Sequence, residues 1–137
     1  MRYIDTNVFV RFLTEEKDKI SEEFLNFFHN LKEGKIKVKL LDLVFFQVIF
    51  VLKSFYKVKK EEIIEVMREI LAFKGIHTRN KKVLERTLEL WEKHSDDIID
   101  CYIVANMELE NETELYSFDK KISKLGIKSL SPVSLSY

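Results

Sequence analysis

Hydrophobic positions along this chain fall into long helical stripes, separated by a few short apolar or alternating runs. Met1–Ile4 reads as a short strand, and Asn7–Leu13 as a helix with Val8, Phe9, Phe12 and Leu13 on its apolar side. Ser21–Lys32 is amphipathic, with Phe24, Leu25, Phe27, Phe28 and Leu31 inward and Glu22, Glu23 and Lys32 outward, and Gly34 ends it. Ile36-Lys37-Val38-Lys39-Leu40 alternates apolar and basic residues, the pattern of a strand with one solvated face or a sheet-edge position. Leu43–Tyr56 is the most apolar helix. Lys60–Phe73 repeats Ile63, Ile64, Val66, Met67, Ile70 and Leu71 at helical period, with Gly75 closing it. Asn80–Lys93 places Val83, Leu84, Thr87, Leu88 and Trp91 on one side, and Ile98–Leu109 is a further apolar helix behind the capping residues Ser95-Asp96-Asp97. Glu114–Phe118 is a strand, Lys120–Leu125 a helical turn and Ile127–Leu130 a last short strand. Short strands separated by long helices predict an α/β fold, with a short central parallel sheet flanked on both faces by helices.

Length and composition narrow the picture. The chain has 137 residues, 46% of them hydrophobic, enough for one continuous core and too few for two well-built ones, so a single domain over 1–137 is expected. Three glycines and one proline leave little room for linkers. The longest apolar stretch, Leu40–Leu52, carries Asp42 and Gln47 and falls short of the roughly 20 residues a membrane span needs, so no membrane partner is expected. The N-terminus enters a strand at once and lacks a signal peptide's long apolar segment, which points to the cytoplasm. One cysteine, Cys101, excludes an internal disulfide framework and a Cys-based zinc site. It reads as a small core residue. Lys plus Arg and Asp plus Glu number 23 each, so any phosphate-binding surface has to come from local charge separation. His29, His77 and His94 lack metal-ligand spacing and read as surface or helix-end residues.

The candidate chemistry lies in four aspartates at predicted strand-to-helix transitions: Asp5, Asp97, Asp100 and Asp119. In a parallel α/β sheet the functional site lies beyond the carboxyl ends of the strands, where Asp5 and Asp119 fall. Each acid has a structural explanation of its own. Asp5, Asp97 and Asp119 are good N-cap residues, although Thr6 and Asn7 could also cap the first helix. Asp97 and Asp100 are three apart at a helix start and share a face. Asp100 is harder to explain by capping, because Ile98, Ile99, Cys101, Tyr102, Ile103 and Val104 surround it and an aspartate in such a stretch needs a partner or an ion. Taken together, clustered carboxylates are best neutralised by a hard divalent ion with oxygen ligands, Mg²⁺ or Mn²⁺. The reaction class is then metal-assisted phosphoryl chemistry.

The segments Tyr3-Ile4-Asp5-Thr6-Asn7-Val8, Asp97-Ile98-Ile99-Asp100-Cys101-Tyr102-Ile103-Val104-Ala105 and Tyr116-Ser117-Phe118-Asp119-Lys120-Lys121-Ile122 resemble the signature blocks of PIN-domain nucleases, in particular the small VapC-like toxins of toxin-antitoxin pairs. Each block is short, but their joint order and spacing are specific, and the resemblance covers essentially the whole chain. It implies an endoribonuclease that uses Mg²⁺ or Mn²⁺, in several members at tRNA or rRNA sites. It also implies that Asp5, Asp100 and Asp119 take the principal acidic positions, Asp97 the accessory one, and Asn7 and Ser117 the polar supports. One position departs from the pattern: the block Leu41–Leu52 looks like the family helix that carries a glutamate where this chain has Gln47. Gln matches Glu in shape but neither neutralises an ion nor accepts a proton. Three readings stay open: a weakened or inactive homologue, a change introduced to allow production of a toxic protein, or a site that works with the remaining acids. Asp42 is a poor substitute, being five residues away on a helix and so on a different side.

Two other function classes compete. A PIN-like module without catalysis, acting through RNA or protein contacts, is favoured by Gln47. A phosphoacceptor receiver domain also uses an acidic cluster on such a sheet, but the lysine expected after its last strands has no clear counterpart. Apolar residues on the helices from Leu43 to Phe73, including Phe45, Phe55, Tyr56 and Phe73, exceed what a small core needs, which suggests a homodimer or an antitoxin segment covering them. Arg11, Lys120 and Lys121 are candidates for RNA phosphate contacts, with ordinary solvated charge as the alternative.

Overall fold

The computed structural model of the chain describes residues 1–94 and 97–133; the predicted capping residues Ser95 and Asp96 lie outside them. Two compact units emerge, Met1–Lys81 and Lys82–Tyr137.

The first unit is built on three strands, β1 (Arg2–Tyr3), β2 (Val38–Lys39) and β3 (Ile76–His77), all parallel and ordered β1-β2-β3. Parallel neighbours need crossovers, and helices supply them: α1 (Thr6–Thr14) and α2 (Glu22–Glu33) between β1 and β2, then α3 (Asp42–Ser54) and α4 (Lys60–Ala72) between β2 and β3. A short 3₁₀ turn, Lys17–Lys19, separates α1 from α2. Both ends of α2 are fixed by the chemistry expected of them. Ser21 Oγ accepts from Phe24 N–H at 3.1 Å, and Gly34 takes the left-handed conformation at φ 83°. The core of this unit stacks aromatic rings from α1 and α2, with Phe12 lying on Phe28 at 3.9 Å and Phe9, Phe24 and Phe27 meeting Phe28 edge-on.

Four expectations need correcting here. Strand β3 was not expected, and it makes β2 the middle strand of its sheet, not an edge; the alternation of its lysines reports only the solvated face, where Lys39 Nζ sits 5.6 Å from the centre of the Tyr3 ring. Gly75 does not close α4, which is capped by Phe73. It is instead a point of close backbone approach: its N–H donates to Leu31 O at 2.8 Å, and a Cβ there would stand 2.0 Å from Ile36 O. Leu25 is exposed on α2 where it was expected to face inward. Phe45 is 0% exposed, edge-on to Phe46, and the exposed apolar residues of α3 are Leu43 and Phe50, followed beyond its end by Phe55 and Tyr56.

The second unit contains α5 (Lys81–Lys93), α6 (Ile98–Leu109), and a parallel pair of strands, β4 (Glu114–Tyr116) and β5 (Lys128–Leu130), joined through a 3₁₀ segment at Lys120–Leu125. The expected inner face of α5 is buried throughout, from Val83 to Trp91. Arg86 forks onto Glu108 of α6 with bonds of 2.8 and 3.0 Å and reaches Glu89 at 2.8 Å, tying the two helices. Cys101 is buried and free, as a small core residue. The three histidines are exposed.

Candidate metal-dependent active site

In the first unit, β1 delivers the chain directly to Asp5, which is the N-cap of α1. Its Oδ1 accepts from the Thr6 N–H at 2.7 Å. The cap role, weighed above against Thr6 and Asn7, therefore belongs to Asp5 itself. Thr6 does something else. At 5% exposure its hydroxyl donates to Gln47 Oε1 at 2.6 Å, linking the start of α1 to the middle of α3. Gln47, exposed on α3, is thereby held next to the Asp5 turn. Asn7 is exposed on the first turn of α1 and lines a groove of about 820 Å³ with Arg11, Phe24 and Tyr56. Arg11 itself pairs with Glu15 at 3.4 Å.

The second unit holds the other acids. Asp97 caps α6, its Oδ1 accepting from the Ile99 and Asp100 N–H groups at 2.9 and 3.4 Å. Asp119 follows β4 and caps the 3₁₀ segment, its Oδ1 accepting from Lys121 N–H at 2.9 Å. Ser117 fixes that turn: its Oγ accepts from Asp119 N–H at 3.0 Å and donates to Asp119 O at 3.3 Å, while Ser129 Oγ donates to Ser117 O at 3.2 Å. Asp100 is half-buried on the first turn of α6. Burial, and then the negative charges of Asp97 and Asp119, hold its carboxyl above the ordinary carboxylate value. Asp97 and Asp119 thus both act on Asp100. Asp5, Asn7 and Gln47 form one polar set in the first unit, and Asp97, Asp100, Ser117 and Asp119 another in the second.

A family model, the PIN domain, matches residues 2–128. The chain belongs to the PIN-domain family. A relative from Aquifex aeolicus (strain VF5), a VapC ribonuclease, is 27% identical over 132 residues, covering 96% of this chain and 97% of the relative. All the candidate residues of this PIN domain, from Asp5 to Asp119, fall inside the matched region.

A divalent ion fits the donors present. They are all oxygens, as Mg²⁺ and Mn²⁺ require, and a cation would offset the burial and the neighbouring negative charges that raise the Asp100 carboxyl. Among the described residues no three of His, Cys, Asp and Glu stand together as a ready-made metal cage. Thr6 is the residue that sequence reasoning missed. Its signal was the very redundancy of Asp5, Thr6 and Asn7: three capping residues for one helix start leave at least one hydroxyl or carboxylate for other work.

Proposed function

We propose that this PIN domain is a metal-dependent endoribonuclease of VapC type. Asp5, Asp100 and Asp119 are its principal acidic ligands, Asp97 is the accessory one, Asn7 and Ser117 are polar supports, and Gln47 stands at the usual glutamate position. The observation that carries this reading is the Asp100 carboxyl, held above its ordinary value by burial and then by the negative charges of Asp97 and Asp119. A site built to stand alone would not gather like charges; a site built for a cation would. The ion, Mg²⁺ or Mn²⁺, supplies activation of water and neutralisation of the charge that develops on the phosphate. The residues of the chain hold the acids in fixed rotamers: Asp5 through Thr6 N–H, Asp119 through Lys121 N–H and the Ser117 turn. The relative's ribonuclease activity supports RNA as substrate, with tRNA or rRNA as the class to assay, and a cognate antitoxin as partner. Leu43 and Phe55, 77% and 76% exposed, support a homodimer or an antitoxin segment over α3 and its C-terminal end. No described helix is long and apolar enough to cross a membrane, and the proposed compartment is the cytoplasm.

The test is cleavage of a mixed tRNA and rRNA pool with Mg²⁺ or Mn²⁺ by the native chain, Gln47→Glu and Asp5→Asn. Fragments from the native chain that vanish with Asp5→Asn establish a working nuclease. Silence from all three variants refutes the reading.

A second reading rests on Gln47, whose uncharged Oε1 accepts the Thr6 hydroxyl. It makes the chain a PIN-like RNA- or protein-binding module without catalysis. Calorimetry with Mg²⁺ and Mn²⁺, with Asp5→Asn as control, separates the two, because the binding-only module has no specific divalent-ion affinity.

A further inference from the structure

Beside Asp119 stands a surface that the proposed chemistry leaves unused. β4 is Glu114–Tyr116, but its ladder runs one residue further, since Ser117 N–H donates to Leu130 O at 2.9 Å. Along this extended stretch exposure alternates: Leu115 and Ser117 are half-buried while Glu114, Tyr116 and Phe118 are exposed. Phe118 follows at the bend that leads from β4 to Asp119, so both rings stand exposed at the C-terminal end of the strand. They are 73% and 75% exposed, among the most exposed large apolar side chains of the molecule, and Phe118 precedes Asp119 directly. Neither ring contributes to the core, so burial does not account for them.

The charges around them are specific in sign. The 3₁₀ segment buries Ile122 and Leu125, which turns Lys120, Lys121 and Lys124 outward, and Lys128 of β5 stands in register opposite Glu114. Between Glu114 and Leu130 there are four lysines against two acids, Glu114 and Asp119, in a chain whose overall charge is zero. This is the local charge separation that a balanced composition demands of any phosphate-binding surface.

We infer that Tyr116 and Phe118 form a stacking platform for unpaired RNA bases beside Asp119, with Lys120 and Lys121 holding the adjoining phosphates. An exposed aromatic face stacks on a nucleobase only if that base is free of its duplex partner, and cations beside it track the backbone. The inference deepens the ribonuclease reading and rests on it for the choice of RNA: it assigns Tyr116 and Phe118 the task of engaging unpaired bases. Helical stems are excluded because their bases are already stacked.

The test measures binding without cutting. Fluorescence anisotropy in EDTA compares a single-stranded RNA of about 12 nucleotides, carrying 2-aminopurine, with the same strand annealed to its complement. The full chain is measured beside Phe118→Ala, Phe118→Leu, Phe118→Trp and Tyr116→Ala. The native chain is expected to prefer the single strand and to quench 2-aminopurine. Phe118→Ala and Phe118→Leu are expected to weaken binding by about 5- to 150-fold and abolish the quench, whereas Phe118→Trp retains both. Lys121→Gln should lower the slope of log affinity against log salt by about 0.7. Equal affinity for single strand and duplex overturns the inference. So does native-like binding by Phe118→Leu, which would mean apolar contact without stacking. Unchanged RNA affinity in Phe118→Ala, together with a shift from dimer to monomer in sedimentation, overturns it in favour of a protein interface. Cleavage is scored separately: a chain that binds as expected but never cuts RNA sinks the nuclease reading and leaves the platform, and one that cuts RNA with no Phe118 dependence does the reverse.

Discussion

The bond from Thr6 to Gln47 makes a quantitative prediction about the position proposed above as the usual glutamate site. Thr6 Oγ1 donates to Gln47 Oε1 at 2.6 Å, with Thr6 buried and Gln47 reaching solvent. A neutral bond of this kind contributes about 0.5–1.5 kcal/mol, and its deletion by the near-isosteric Thr6→Val leaves the amide of Gln47 free to turn to water, so the cost stays in that range. In the Gln47→Glu background the acceptor carries a charge. The same deletion then costs about 1.5–3 kcal/mol. The difference, about 1 kcal/mol, is a coupling energy that a double-mutant cycle reads directly, and in a chain of this size it corresponds to roughly 3 °C in melting temperature. Urea denaturation of the four proteins in EDTA, at neutral pH, is the assay. Gln47→Glu also adds a charged oxygen beside the Asp5 turn, and an added anionic partner at a metal site is worth about 10- to 100-fold in divalent-ion affinity, measured by calorimetry with Mn²⁺. Equal costs of Thr6→Val in both backgrounds would show that the hydroxyl does not position residue 47. Unchanged ion affinity would remove that position from the metal site.

Other consequences can be checked independently. Asp100 has a folded-state pKa raised by burial and by Asp97 and Asp119, so its charged form is disfavoured by folding; Asp100→Asn should raise the melting temperature of the ion-free protein at pH 7, with the advantage shrinking as pH falls through the raised value, while abolishing cleavage. Phe28→Ala removes a buried ring stacked on Phe12 at 3.9 Å and should cost about 3–5 kcal/mol in urea denaturation. Gly75→Ala would drive a Cβ to 2.0 Å from Ile36 O and 2.5 Å from Leu31 O, and should destabilise by about 1–3 kcal/mol or more, seen as a lower urea midpoint. Asp119→Asn keeps a good cap and should leave the urea midpoint close to native, whereas Asp119→Ala should lose about 1 kcal/mol; both should lose ion binding.

The helices were legible because their periodicity is carried by the residues that are buried. Val83, Leu84, Thr87, Leu88 and Trp91 form one face of α5 in the sequence and the same face in the molecule. Where that signal fades, the reading fails. α3 is apolar nearly all round, so its spacing could not say that Phe45 is buried while Leu43 and Phe50 are exposed. β3 is two residues long and exists because β2 pairs with it, a non-local fact that Ile76-His77 cannot announce alone. Gly75 was visible as a breaker, but its reason is Leu31 and Ile36 reaching it from far along the chain. The aspartates were legible as a group from residue type and location. Which of them caps, and that Thr6 turns away from capping to hold Gln47, depends on two helices meeting, and no local pattern encodes that.

Capping and metal binding are not rival explanations for these acids. Asp5, Asp97 and Asp119 each cap with Oδ1, and a carboxylate has two oxygens with about four lone-pair sites between them. The bond to the backbone N–H fixes the rotamer, so the entropy of orienting the carboxylate is spent during folding and not again when an ion arrives. Asp100 caps no helix, and burial, then Asp97 and Asp119, raise its carboxyl above the ordinary value, so the folded protein disfavours its charged form. In the proposed site the capped acids would serve as pre-set ligands, and Asp100 would supply the electrostatic demand that favours an ion. That demand sits in α6 and not at residue 47, so under the proposal Gln47 would weaken the hold on an ion without removing the reason to bind it.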